Sequence, residues 1–422
     1  MIYAIILFAV TYVLMLIFSK WRPWIAIVSG AVFLVSGMLP YGDFFAAIDF
    51  NVLLMIAGTM GLVQLFIDSK MPALLADLVM EKVPNVQMAA VSLALFAGII
   101  SAFVDNVATV LMVAPVGLAI CRKLNTNPVP FIIGIAVSSN LQGAATLVGD
   151  TTAIMLGSEA GMSFLDFFWY KGRPSIFFAV ELGAIVSALI LAYLFCKEKD
   201  KVEQTGQRTA VTDYVPTVLL LATIALLVGT SFIDKKPDIT NGLVCMGMLL
   251  IGLVYTCIRE KTPKAVLVPL KAIDFETIGL LFGLFLMIGG IDNMGVIDAA
   301  ANLLKTLGGG NAFVLYTLIV WASVLISAFI DNIPYVATMI PVIGGLAAAM
   351  QMDPTVLYFG LLSGATLGGN CTPIGASANI TGIGILRREG YTVKNRDFFR
   401  IGIPFTLAAI IPAYIYLWFV FG

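Results

Sequence analysis

The stretch SAFVDNVATVLMVAPVGLAI, residues 101–120, returns as SAFIDNIPYVATMIPVIGGL at residues 327–346, identical at eight of twenty positions and displaced by 226 residues. The same displacement aligns GAATLVGDTTAI from Gly143 with GNCTPIGASANI from Gly369, pairing Gly143, Thr146, Gly149 and Ile154 with Gly369, Thr372, Gly375 and Ile380. A looser pair, DFFWYKGRP from Asp166 and DFFRIGIP from Asp397, follows each block. Two blocks at one displacement define an internal repeat. The expected boundaries are 1–199 for the first copy, 200–213 for a hydrophilic cytoplasmic linker and 214–422 for the second copy.

The repeat is embedded in a chain of 422 residues that is 60% hydrophobic and 12% charged, with a mean hydropathy of +1.00. Soluble domains carry about 25% charged residues, so a soluble globule is excluded. Crossing the hydrocarbon core of a bilayer takes about 20 apolar residues. Hydropathy predicts ten such spans near 2–19, 23–40, 50–67, 131–157, 174–195, 215–232, 241–258, 275–291, 355–385 and 401–421. The first has no basic residues ahead of it and no small-residue cleavage site behind it, and is expected to be a retained helix rather than a signal peptide.

Two further apolar stretches, 86–120 and 312–350, carry an Asp-Asn pair at mid-length, the pattern of a re-entrant hairpin. With the N-terminus outside, nineteen of the twenty-four lysines and arginines fall on one side. The positive-inside rule then places both termini extracytoplasmic in a multi-pass protein of the cytoplasmic membrane. Five spans per half, an odd number, invert the second copy relative to the first. The expected fold is all-α and polytopic: two inverted repeats, each with five transmembrane helices, one of them broken, plus a re-entrant hairpin. That is an arrangement of secondary transporters.

Composition removes several chemistries. The chain has no histidine, which excludes Ser-His-Asp, Cys-His and HExxH catalysis. Its five cysteines are scattered, without a CxxC pair, and do not suggest a disulfide framework or a zinc site. A net charge of −1 gives no reason to expect a nucleic-acid partner. No phosphate-binding loop for ATP is present, and the protein is not expected to be an enzyme or to carry a cofactor beyond a coupling Na+ or H+.

The chemistry therefore rests on polar residues inside apolar runs. Asp105 and Asp331 lie mid-hairpin, where a charged side chain costs about 2.5–3.5 kcal/mol even on insertion scales. An aspartate there also suits a helix cap, and both roles hold together at a hairpin tip. Carboxylates, the Asn106 and Asn332 amides and freed carbonyls suit a hard cation such as Na+, which prefers oxygen ligands. Thr109 lies one turn further along the first hairpin. The runs Thr146–Thr152 and Thr372–Asn379 read as helices broken near mid-membrane. Their candidate ligands are Thr146, Gly149, Asp150 and Thr151 in the first copy and Thr372, Pro373, Ser377 and Asn379 in the second. Asp150 has Ala376 at its repeat position and adds an asymmetric third carboxylate. Close packing of small residues is the structural alternative for such runs. Glu181 falls inside a predicted span without an assigned role, and Asp68, Glu276 and Asp292 fall at span ends.

These residues resemble the ion-transporter superfamily, which includes ArsB-type arsenite pumps, NhaD-type antiporters, relatives of the melanosomal P protein, and citrate and dicarboxylate permeases. The features that carry the resemblance are Asp105-Asn106 followed by Pro115 and Asp331-Asn332 followed by Pro341, and the likeness spans nearly the whole chain. It implies elevator-like motion against a scaffold and a homodimer. In the dicarboxylate branch the hairpin tips carry Ser-Asn-Thr; here Asp105-Asn106-Val107 and Asp331-Asn332-Ile333 keep only the asparagines. Added carboxylates disfavour a dianionic substrate unless cations or protons accompany it.

The leading expectation is a sodium- or proton-coupled secondary transporter that moves a small inorganic ion or small anion across the lipid bilayer by alternating access. Na+/H+ antiport and a small-anion permease, for a carboxylate or arsenite, both fit. An intramembrane aspartyl protease lacks its GxGD signature, since the chain reads LVGD at 147–150. A passive channel would show flux without coupling.

Overall fold

The computed structural model describes residues 1–123, 126–196, 208–233 and 235–422. Lys197, Lys199 and Lys201 of the basic tally and linker residues 200–207 lie outside the described residues. The first half holds α1 (Ile2–Ile17), α2 (Arg22–Val35), α3 (Phe44–Ala47), α4 (Phe50–Asp68), α5 (Met71–Met80), α6 (Val86–Ser101), α7 (Asn106–Lys123), α8 (Pro128–Gly143), α9 (Thr151–Glu159) and α10 (Ile176–Leu194). The second holds α11 (Val215–Thr230), α12 (Thr240–Glu260), α13 (Leu267–Ala272), α14 (Phe275–Asn293), α15 (Val296–Leu307), α16 (Ala312–Ser327), α17 (Asn332–Met350), α18 (Thr355–Gly368), α19 (Ser377–Arg388) and α20 (Asn395–Phe421).

Each half holds ten helices among the described residues. α6 and α16, α7 and α17, and α9 and α19 each begin 226 residues apart. The signals that start these helices repeat as well. Asn85 caps α6 by accepting from the Met88 amide at 2.9 Å, and Asn311 caps α16 by accepting from Phe313 at 2.9 Å. Asp49 and Asp274 cap α4 and α14 in the same way, accepting from Val52 and Thr277, each at 3.0 Å.

Among the described residues six helices, α4, α10, α12, α14, α17 and α20, are long and apolar enough to cross a membrane singly. The chain bends by 117° between α1 and α2 and by 113° between α15 and α16, and counting each bent pair as one span brings the total to eight. The ten predicted spans are therefore distributed differently. Those at 2–19 and 23–40 form one bent pair, and those at 131–157 and 355–385 are divided between α8 and α9 and between α18 and α19. The stretches 86–120 and 312–350 are helix pairs, α6 with α7 and α16 with α17, joined through four-residue tips at 102–105 and 328–331.

Hydropathy missed the short helices α3, α5, α13 and α15, because they are shorter than a membrane-spanning window. Among the described residues the all-α expectation holds apart from one ribbon, Trp169–Tyr170 against Arg173–Pro174. Its turn, Lys171-Gly172, has φ of 52° and 77°, the left-handed pair that matches the twist of a two-residue hairpin.

The halves interlock rather than sit side by side. α2 packs along α14, α12 along α4, and α10 along α20. Between apolar helices in lipid the attraction comes from close approach of surfaces rather than from expelled water. Gly30 shows the consequence: a Cβ there would lie 2.9 Å from the Gly283 carbonyl oxygen. Within each half α8 packs on α6 and α7, and α18 on α16 and α17, which sets each broken segment against its own hairpin.

Candidate functional site

The tips are built from their own backbone. Asp105 Oδ2 accepts from the Val107 and Ala108 amides at 3.0 and 3.1 Å, closing the first turn of α7. Asp331 Oδ1 accepts from the Ile333 amide at 3.2 Å and caps α17. Behind each tip the broken segment is locked to it. The Thr146 hydroxyl donates to the Ala102 carbonyl, and the Thr372 hydroxyl donates to the Ala328 carbonyl. Both hydroxyls also accept an amide two residues on, from Val148 and from Ile374, at 3.4 Å.

Each lock surrounds a glycine. A Cβ on Gly149 would lie 2.5, 2.8 and 2.9 Å from the carbonyl oxygens of Gly143, Ser101 and Ala102. On Gly375 it would lie 2.6, 2.8 and 2.8 Å from those of Gly369, Ala328 and Ser327. Three carbonyls converge on each position, an approach that only glycine permits.

Between the two locks lies a cavity of about 240 Å³ lined by Asp105, Asn106, Asp150, Thr151, Asn332 and Ser377, with Asp274 and Thr277 from the start of α14. Among the described residues no lysine or arginine lines it. A narrower crevice of about 10 Å³, room for roughly one water-sized particle, is shared by Asp105, Gly149, Asp150 and Thr151 with Thr59. Asp150 Oδ2 accepts from the Thr152 hydroxyl at 2.9 Å, and the Thr152 and Thr366 hydroxyls lie 3.2 Å apart.

The structure thus gathers seven of the predicted residues, Asp105, Asn106, Gly149, Asp150, Thr151, Asn332 and Ser377, around one volume. Others stand apart from it. Thr109 turns back to the Val104 carbonyl at 3.4 Å. Thr146 and Thr372 are spent on the locks. Asn379 donates to the Gly369 and Thr372 carbonyls at 3.0 and 3.1 Å. Pro373 does not line the cavity. Asp331 turns away to Arg22, whose Nη1 donates to Asp331 Oδ2 at 3.3 Å.

Two features were missed by sequence reasoning. Arg22 stands one position before the span predicted at 23–40, so hydropathy leaves it in a loop. The other is a buried amide network. Asn106 Nδ2 donates to Asn140 Oδ1 at 3.0 Å, Asn140 Nδ2 donates to Asn370 Oδ1 at 3.1 Å and to the Thr366 carbonyl at 2.6 Å, and Asn370 Nδ2 donates to the Val137 carbonyl at 2.9 Å. Asn140 and Asn370 occupy different places in the repeat, so matching the two copies does not expose them.

Apolar helices long enough to cross a membrane, with paired tips around one cavity, fit a polytopic membrane transporter. Residues 12–362 match the family described as citrate transporter, and the chain belongs to that family. A 46 kDa membrane protein of Mycobacterium leprae is 36% identical over 75% of this chain and 74% of its own length. An uncharacterised transporter of Mycobacterium tuberculosis is 30% identical over the full length of both chains. The human P protein is 27% identical over 78% of this chain, which spans 48% of it. Among solved structures, the YdaH transporter of Alcanivorax borkumensis shares the fold at a TM-score of 0.63 and 13% identity, covering 95% of this chain and 97% of that one.

Proposed function

We propose that this protein is a cation- or proton-coupled secondary transporter of the cytoplasmic membrane whose coupling site is the crevice between Asp105 and Asp150. The observation that carries this reading is two carboxylates on one water-sized space with no basic side chain lining it among the described residues. Buried charge of one sign calls for a partner, and oxygen ligands favour Na+ or a proton over softer ions. The Thr59 and Thr151 hydroxyls supply further oxygens at the crevice, and Asn106 lines the adjoining cavity. The tips are read as re-entrant, the two halves as inverted repeats, and transport as alternating access with the tips and broken segments moving against α2, α4, α12 and α14. Both termini are placed outside, and a homodimer is the assembly that the superfamily resemblance implies.

Cation/proton antiport is the first reading. The family description favours a second, a small-anion permease. In this acidic cavity the anion would enter with the cations or protons that offset its charge.

The test uses proteoliposomes with an internal pH dye, an imposed pH gradient, and additions of NaCl, LiCl or choline chloride. A response to sodium or lithium that is lost in Asp105→Asn and Asp150→Asn supports antiport at this site. Silence in all salts, with correctly inserted protein, rejects antiport. Sodium-stimulated citrate uptake that both substitutions abolish would then establish the second reading.

A further inference from the structure

The two hairpin tips are alike in sequence and unlike in charge. Asp105 is held by backbone amides, and among the described residues no basic side chain bonds to it. Asp331 already has a partner on each oxygen: the Ile333 amide on Oδ1 and the Arg22 guanidinium on Oδ2. The pair is 24% and 18% exposed, and so largely withdrawn from water. Arg22 is itself braced, its Nε donating to the Met15 carbonyl at 3.1 Å. A second grip lies beside it, where the Tyr12 hydroxyl donates to the Pro334 carbonyl at 2.6 Å and also meets the Thr338 hydroxyl. Among the described residues no side-chain hydrogen bond or ion pair joins α11 or α12 to the first tip.

The geometry points to Arg22 as a built-in counter-cation for the second hairpin. It occupies the carboxylate that would otherwise take a second transported cation, so that a single site, the Asp105–Asp150 crevice, carries the coupling ion. A guanidinium satisfies a buried carboxylate with a charge that cannot leave or deprotonate. The repeat would generate two acidic tip sites, and Arg22 leaves one open. This inference deepens the proposed function and rests on its cation site. Arg22 is a specificity-determining residue that acts through Asp331, not a ligand of the transported ion.

The experiment counts bound cations without requiring transport. The melting temperature of the purified full chain in detergent is followed against the logarithm of NaCl, with choline chloride holding ionic strength constant. A ligand that binds only the folded state shifts stability with its concentration, and each further bound cation steepens that dependence. Arg22→Gln is expected to steepen the wild-type slope about twofold, the double variant Arg22→Gln/Asp331→Asn to restore it, and Arg22→Lys to keep it. Asp331→Asn alone is expected to leave the slope unchanged, and it decides the question if Arg22→Gln does not fold. An unchanged slope in Arg22→Gln, or a shallower one in Asp331→Asn, overturns the inference. A flat wild type overturns the proposed cation site, yet a sodium dependence that appears in Arg22→Gln and vanishes in the double variant would still sustain the role of Arg22. Flat responses throughout reject both.

Discussion

Asn140 and Asn370 meet through their side-chain amides, Asn140 Nδ2 donating to Asn370 Oδ1 at 3.1 Å, and both are fully buried. Asn140 lies in the last turn of α8 and Asn370 follows α18, so this bond ties the first half to the second beside the cavity. It also holds the first tip, because Asn140 Oδ1 accepts from Asn106.

Asn140→Ala strands the Asn106 donor and one Asn370 acceptor at once. Leaving a buried polar group unpaired costs about 1–3 kcal/mol, and a linked network magnifies the loss. The variant is expected to melt several degrees lower, and Asn370→Ala to do the same. In the double variant the losses should combine less than additively, since the bond between them is removed once. Fully additive losses in thermal unfolding would show that the two amides act independently.

Gly149→Ala and Gly375→Ala each place a methyl carbon within 2.5–2.9 Å of three carbonyl oxygens. Overpacking of this kind costs about 1–3 kcal/mol, and the tips would have to separate from the broken segments to relieve it. Both variants are expected to lose most transport. In Gly149→Ala the cation response should fall further, because Gly149 also lines the crevice. Initial rates as a function of sodium concentration separate the two.

Thr152→Val removes the donor to Asp150 while keeping the side-chain volume. A hydrogen bond to a charged acceptor is worth about 1.5–3 kcal/mol, so the apparent affinity for the coupling ion should change by at least about tenfold. Asp150→Ala, which copies the second half's Ala376, should abolish coupling. Unaltered sodium dependence in Thr152→Val would show that this bond does not tune the crevice.

Lys171 and Asp353 form an exposed clasp between the halves at 2.5 Å, with Lys171 also donating to Thr355 at 3.1 Å. Partial burial by itself would raise the Asp353 carboxyl, but the bonds from Lys171 and Thr355 outweigh it and hold the group below its usual range. A depressed carboxyl stabilises above its unfolded value and loses that contribution as pH falls through the folded one. The clasp should therefore be constant at neutral pH and fade below about pH 4. Because the pair is exposed, Asp353→Asn is expected to cost at most about 1 kcal/mol, read as a small melting shift that high salt removes.

The repeat, the mid-hairpin aspartates and the glycine- and threonine-rich breaks were legible from the residues alone. They are local patterns set against apolar surroundings, and a 226-residue displacement survives in the helix starts of both halves. Asp105, Asn106 and Asp150 stand out as candidates without coordinates because a carboxylate or amide inside an apolar run has few structural uses, and the fold brings them to the same volume. The partnerships of these groups were decided by tertiary structure. Arg22 meets Asp331 across 309 positions of chain, and Asn140 meets Asn370 across 230. Neither contact belongs to the repeat, so no internal comparison signals it. Apolar patterning records which faces avoid water, whereas the interlocking of α2 with α14 and α4 with α12 decides that Asp331 receives a guanidinium while Asp105 meets backbone amides.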